Sequence, residues 1–434
     1  MVRPPRQAQR YARGRWRLIG VLAGVLALSA TTACAGGAGA QWRAPGGGDG
    51  TQVTPAPVAS ALLLSHAANA TNVSPADPVT VELTGGTLES VTLTNSQGKA
   101  VMGEFDAEKR TWTSSEDLGY DKTYTLKAVG TGADGQRHEE TRSFTTVKPK
   151  NFTLPYLRAN VGTLLDGGTF GVGQPIVIWF DEAIKDKAAA EKNLVVTTDP
   201  PVLGAWRWMD SREVHWRPKE YWPAHTKVTV EANVYGRDLG GGLYGQEDRK
   251  ATFTIGKSKI AIADSKTHRM KVYIDGVQVT KINGKDVTLG IPISMGKGGY
   301  ETTPTGRTVS FTTNSGPHVV TQKYEVYRMT SASFGITDPK SPNFYDEKIR
   351  KSIRISGGGE FVHLADWNIW AHGKTNTSHG CINVAPTYIY WFYDQFGAGD
   401  IVDVRNTSVK LDVRDGLGDW VLSWAEWQKG SALS

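Results

Sequence analysis

The 434-residue sequence predicts a mainly β protein: two tandem β-sandwiches, then a β-rich third domain, then a short helical tail rich in tryptophan. Three observations carry this reading. Period-two alternation recurs in short runs such as Val79-Thr80-Val81-Glu82-Leu83 and Thr123-Tyr124-Thr125-Leu126. Turn residues such as Gly85-Gly86 and Asn95 to Gly98 separate these runs at short spacing, as an antiparallel sandwich requires. The pattern also repeats. Thr111-Trp112-Thr113 followed by Lys122-Thr123-Tyr124 has a counterpart in His215-Trp216-Arg217 followed by Lys227-Val228-Thr229. Each copy then runs through a glycine-rich loop to a closing strand, so one unit is present twice.

The chain begins with a leader over residues 1–34. Its first 17 residues hold Arg3, Arg6, Arg10, Arg13, Arg15 and Arg17 and no acid, which accounts for the whole formal charge of +6. Basicity confined to a leader is no signature of nucleic-acid binding. The apolar run Leu18 to Leu28 and the small residues Ser29 to Ala33 complete the pattern of an export signal. Cys34 follows directly in a context similar to a bacterial lipobox, although Thr31 stands where leucine is usual. Lipid attachment at Cys34 is therefore expected, with the mature protein on the outer face of the cytoplasmic membrane. Residues 35–60 are rich in Gly, Ala and Pro and read as a flexible tether.

The sandwiches are assigned to 61–149 and 150–256, with helical character only at Ala183 to Lys192. Charges at Asp181-Glu182 and Lys185-Asp186 read as solvated faces, and both domains as spacers or binding modules. In the third domain, 258–406, strands are predicted at Lys259 to Ala263, Arg269 to Ile274, Val277 to Ile282, Val287 to Ser294, Thr308 to Thr313, Glu360 to Leu364 and Asp400 to Val404. One helix follows Pro386. In the tail, 407–434, spacings of four and three put Trp420, Trp424 and Trp427 on one helical face, which predicts docking on a domain surface.

Chemistry concentrates around the second of two cysteines. With Cys34 acylated or removed, Cys381 has no disulfide partner. The stretch Ser378-His379-Gly380-Cys381 reads as a tight loop feeding the helix after Pro386, where free backbone N–H groups would favour thiolate. The competing reading is a small buried cysteine in a turn. A nucleophilic cysteine needs a base, and His363, His372 and His379 are the candidates. His379 lies two residues from the sulfur and shapes the loop, whereas His363 arrives on a separate strand and is the better base. His372 reads as structural. A zinc site built from these groups matches no common ligand spacing, so no metal and no cofactor is expected.

These residues carry a resemblance. Residues 258–406 resemble the L,D-transpeptidase (YkuD-type) catalytic domain, with His363, a gap of 14 residues, and Ser378-His379-Gly380-Cys381-Ile382-Asn383. Ile293-Ser294-Met295-Gly296-Lys297 and Thr303-Pro304-Thr305-Gly306 resemble that family too. The layout of leader, two immunoglobulin-like domains, catalytic domain and Trp-rich tail is similar to its actinobacterial members. The resemblance implies a peptidoglycan cross-linking acyltransferase. Cys381 would attack the carbonyl between diaminopimelate and the terminal D-Ala of a tetrapeptide stem. His363 would serve as base and then acid, and the N–H groups of His379, Gly380 and Cys381 as the oxyanion hole. The amine of a second stem would resolve the thioester into a 3→3 cross-link, and carbapenems would acylate the same sulfur. Ser378 and Asn383 would stabilise the loop or bind substrate. A flexible lid would span 326–350, with Met329, Phe334 and Tyr345 as its bulky positions and Trp367 facing it. Leu364 replaces a frequent serine, and Phe334 a tyrosine. Resolution by water would make a carboxypeptidase instead, and an inactive wall-binding protein is opposed by the intact Cys381/His363 pair.

Overall fold

Strands form where the period-two runs lie, and the computed structural model describes residues 59–434; the expected leader, Cys34 and most of the tether fall outside the described residues. In the first sandwich one sheet orders Ala61–Leu64, Thr80–Thr84, Thr111–Ser114 and Gly103–Phe105. The other orders Ala70–Val73, Arg137–Thr146, Thr123–Gly132 and Gly86–Asn95. Alternation divides the faces: Val81 and Leu83 are buried while Glu82 is exposed. The second sandwich packs a five-stranded sheet containing Ile176–Phe180 and Glu213–Pro218 against a four-stranded one containing Lys227–Ala232 and Arg249–Ile255. Its short helix is Lys187–Glu191, capped by the Asp186 carboxylate on the Ala189 N–H.

The repeat extends to a packing detail. Trp112 and Trp216 each lie over a glycine of the neighbouring strand, Gly103 and Gly204, where any Cβ would overlap the indole. In both copies the absent side chain leaves the space that a large buried ring fills.

The third domain is built on one mixed sheet. Its order is Gly316–Val319, Ile401–Arg405, Lys259–Asp264, Arg269–Ile274, Ile291–Ser294, Ile382–Val384, Phe361–Leu364, Asp346–Arg354 and Gln322–Thr330. Helix Pro386–Gln395 starts with proline at its first turn and buries Ile389, Phe392 and Tyr393. Three expected strands are shorter than predicted: Thr308 to Thr313 is cut to Thr308–Ser310, which pairs with Tyr300–Thr302 outside the main sheet. Val277 to Ile282 breaks into Val277–Gln278 and Lys281–Ile282, and the latter turns through left-handed Asn283 and Gly284 into Lys285–Asp286. Gly290, with φ of 104°, delays the next strand to Ile291–Ser294. The long hairpin Gln322–Thr330/Asp346–Arg354 gave no strand signal. One arm carries Lys323, Glu325 and Arg328 and the other Lys348, Arg350 and Lys351, so little apolar alternation marks them.

The tail reaches its contacts by another route than one helical face. Trp420 sits in a 3-10 turn, Leu422 and Ser423 are extended, and a new helix, Trp424–Gln428, begins at a Ser423/Glu426 capping box. All three indoles converge on Arg217 of the second sandwich, at 4.7, 5.6 and 4.7 Å from its guanidinium carbon for Trp420, Trp424 and Trp427. Trp427 Nε1 donates to the Ala205 carbonyl (2.9 Å) and Trp420 Nε1 to that of Gly173 (2.7 Å). Beside them His215 pairs with Asp419 at 2.7 Å; burial alone would depress the imidazole, but the Asp419 and Glu213 carboxylates outweigh it and lift it to about 10.

Candidate active site

The two central residues arrive on adjacent strands. Phe361–Leu364 runs parallel to Ile382–Val384, pairing Val362 with Ile382 and His363 with Asn383. Extended by one residue, this register sets Cys381 beside Phe361. Paired residues share a face of the pleat, so the thiol and the imidazole emerge on the same side. The imidazole is buried, and its Nδ1–H donates to the Leu364 carbonyl at 2.8 Å. That bond fixes the tautomer and leaves Nε2 to accept a proton. Trp367 stacks on the ring at 5.9 Å and 21°. Leucine at 364 keeps this bond, which uses the backbone carbonyl, while its side chain packs in the domain core.

The expectation of a resting thiolate at a helix start is overturned. Strand Ile382–Val384 separates Cys381 from the helix, which begins at Pro386, so the helix amides lie elsewhere. Burial pushes the thiol up to about 12; the Phe361 backbone N–H and Arg354 oppose this, while the Glu360 carboxyl adds to it. The thiol is placed to donate to the Gly359 carbonyl, 3.9 Å from Sγ. Burial likewise drives His363 down to about 4, against the Leu364 carbonyl and helped by His372. Burial thus favours the uncharged form of both groups, thiol and neutral imidazole.

The cysteine loop is braced from behind. Ser378 Oγ donates to the Cys381 carbonyl (2.6 Å) and accepts from the Gly380 N–H (3.1 Å). This removes Gly380 from the expected oxyanion hole, because its donor is already committed. The N–H groups of His379 and Cys381 have no protein acceptor among the described residues. Gly380 is required for another reason: its φ of 135° lies where side chains are strained. Asn376 Oδ1 takes the Met295 N–H (2.9 Å), and Ser294 Oγ takes that of Thr377 (3.1 Å).

His379 is engaged by groups other than the sulfur. Its Nε2 lies 3.2 Å from Asn343 Oδ1, and its ring meets Phe311 (5.1 Å) and Tyr345 (5.2 Å). Burial and the Lys297 ammonium lower it to about 4. Lys297 Nζ donates to the same Asn343 oxygen at 2.6 Å, and Asn343 Nδ2 donates to Glu301 at 2.6 Å. Asn343 thus ties the segment between the hairpin arms to the cysteine loop. Burial raises the Tyr345 phenol, with the neighbouring Cys381 adding to it. Phe334 lies in the 3-10 turn Ser331–Phe334 with its ring against Gly359. Met329 sits opposite Glu347 in the hairpin. Asn383 is buried with its Oδ1 unpartnered, and His372 is held by Asn368 Oδ1 at 3.1 Å. Each imidazole therefore has its own partner, and among the described residues no cluster of three or more His, Cys, Asp or Glu is placed to hold a metal.

Three participants escaped the sequence reading. Glu360, Arg354 and the Lys297/Glu301/Asn343 group surround the site. Lys297 closes the Ile293-to-Lys297 motif and so had a signal; Asn343 and Glu360 had none.

Comparison with known proteins identifies the family. Residues 258–404 match the family described as the L,D-transpeptidase catalytic domain, and residues 70–238 match a bacterial Ig domain. The chain is 40% identical over 356 residues to L,D-transpeptidase 2 of Mycobacterium tuberculosis, covering 82% of this chain and 81% of that protein. It is 37% identical over 383 residues to L,D-transpeptidase 5 of the same species, covering 87% and 78%. A solved L,D-transpeptidase in complex with imipenem is 26% identical over 58% of this chain and 99% of that one, with a TM-score of 0.45. The chain belongs to the L,D-transpeptidases, a family of acyltransferase-type enzymes.

Proposed function

We propose that this chain forms 3→3 cross-links in peptidoglycan through a thioester on Cys381. One observation carries the reading: His363, its Nδ1 tied to the Leu364 carbonyl, stands on the strand parallel and adjacent to the cysteine. His363 Nε2 takes the thiol proton as sulfur attacks the carbonyl of the third stem residue, diaminopimelate. The N–H groups of His379 and Cys381 receive the oxyanion. Collapse of the tetrahedral adduct expels D-Ala, whose nitrogen takes the proton from the imidazolium. The side-chain amine of an acceptor stem then attacks the thioester, His363 removes its surplus proton, and the thiol is restored. The hairpin, with Tyr345 and Phe334, closes over the donor, and Trp367 flanks the base. Carbapenems acylate the same sulfur by ring opening. No cofactor enters these steps.

Mass spectrometry of the protein after a carbapenem, wild type beside Cys381→Ala, tests this. One adduct of the drug's mass on wild type and none on the variant supports it; an adduct on both, or on neither, overturns it. The leader supports a second proposal, export with lipid at Cys34 on the outer face of the cytoplasmic membrane. Palmitate labelling in the native host, lost in Cys34→Ala, is the expected result, and equal labelling would refute it.

A further inference from the structure

Four residues beyond the catalytic histidine the chain exposes an apolar shelf. Trp367, Ile369 and Trp370 are 52, 51 and 65% exposed, although they fall within four consecutive positions. Large exposed apolar groups gathered in this way mark a contact surface. The shelf is held in place: Ile369–Ala371 is a 3-10 turn, Asn368 Nδ2 donates to Thr377 Oγ1 at 2.9 Å, and Ala371 is buried beneath. Beside it runs a trough of about 340 Å³ with Leu364, Ile349 and Trp367 in its lining. Its polar lining is mixed in sign, with Glu347 and Asp366 against Lys348 and Arg350.

We infer that this shelf binds the glycan strand that carries the stem peptide, with Trp370 stacking on the apolar face of an N-acetylhexosamine ring. Indoles offer π-faces to axial C–H groups, while neighbouring carboxylate and guanidinium groups match hydroxyl and acetamido edges. Position supports this occupant, because Trp367 joins the shelf to His363. The inference rests on the proposed reaction. If the third stem residue is attacked, the sugar follows within three extended residues, about 10 Å at most. A membrane surface would instead favour a rim of one basic sign.

The test uses the full chain with two donors, a free tetrapeptide and the same tetrapeptide on its disaccharide. Wild type is expected to use the disaccharide form with a kcat/KM about tenfold higher, and Trp370→Ala to lose that advantage while free tetrapeptide turnover and carbapenem acylation stay unchanged. Trp370→Phe should keep most of it. A loss shared equally by both donors, or no loss, overturns the inference. A second measurement separates it from the proposed reaction: calorimetry of Cys381→Ala with an N-acetylglucosamine oligomer lacking any peptide. Binding weakened at least tenfold by adding Trp370→Ala supports the shelf even if no cross-link forms. Absent binding, or binding indifferent to Trp370, overturns it, as does vesicle flotation that depends on Trp370.

Discussion

Glu360 is buried against the cysteine loop, and replacing it with glutamine tests how the site tolerates a carboxyl there. One oxygen accepts the Asn314 N–H at 2.7 Å, and the other is buried without a hydrogen-bond partner, 3.7 Å from His318 Nδ1. Burial, with Asp415 adding to it, raises the acid from 4.5 to about 8. His318 supplies no compensating charge, because burial holds it below its ordinary value. The sign follows. Below about pH 4.5 the carboxyl is protonated whether the chain is folded or not, and stability is unaffected. Between about 4.5 and 8 the unfolded chain releases the proton and the folded chain keeps it, so stability falls as pH rises. A difference of 3.5 units corresponds to about 5 kcal/mol at most, reached above pH 8. Glu360→Gln keeps the Asn314 bond and cannot ionise. Urea unfolding from pH 4.5 to 9 should show the variant gaining on wild type with each pH unit up to about 8, then holding level. Parallel curves would refute the buried, protonated acid. Because the carboxylate also raises the Cys381 thiol, carbapenem acylation by the variant should hold up better than wild type above pH 8.

Other expectations follow from single contacts. His363→Ala should slow acylation by about 10²–10⁴-fold, measured by stopped-flow loss of carbapenem absorbance; a near-wild-type rate would mean another base. Asn343→Ala removes the acceptor shared by Lys297 and His379, and should raise donor KM several-fold and speed hydrogen exchange over 338–345. Unchanged exchange there would deny it the linking role. Gly204→Ala puts a methyl group into the Trp216 ring and should cost about 1–3 kcal/mol in urea unfolding, against little change for an alanine at exposed Ser96.

Much of the architecture was legible because the sandwiches alternate cleanly and their Trp-bearing strands repeat. The pairing of Cys381 with His363 was proposed from the sequence because an unpaired thiol, a histidine on its own strand and a specific motif coincide, and the structure sets the two on adjacent strands. What stayed hidden is instructive. The hairpin Gln322–Thr330/Asp346–Arg354 is coated with charge, and its buried apolar side chains are few, Ile349 and Ile353, so no alternating apolar run marks its strands. Thiolate stabilisation was misplaced because a three-residue strand, Ile382–Val384, separates the loop from the helix. Gly380's donor was assigned to the oxyanion, but only coordinates reveal that Ser378 Oγ already holds it. The tryptophan spacing led to docking on a domain surface through one helical face; the break at Leu422-Ser423 and the Arg217 guanidinium at the centre depend on tertiary contacts.

The most direct test of the cross-linking reading is incubation of purified protein with disaccharide-tetrapeptide alone, with products separated and fragmented by mass spectrometry. Cross-linking predicts a dimer joined between two third-position residues, with one D-Ala released per bond, and neither product from Cys381→Ala. Disaccharide-tripeptide with no dimer would assign the thioester to water and contradict it.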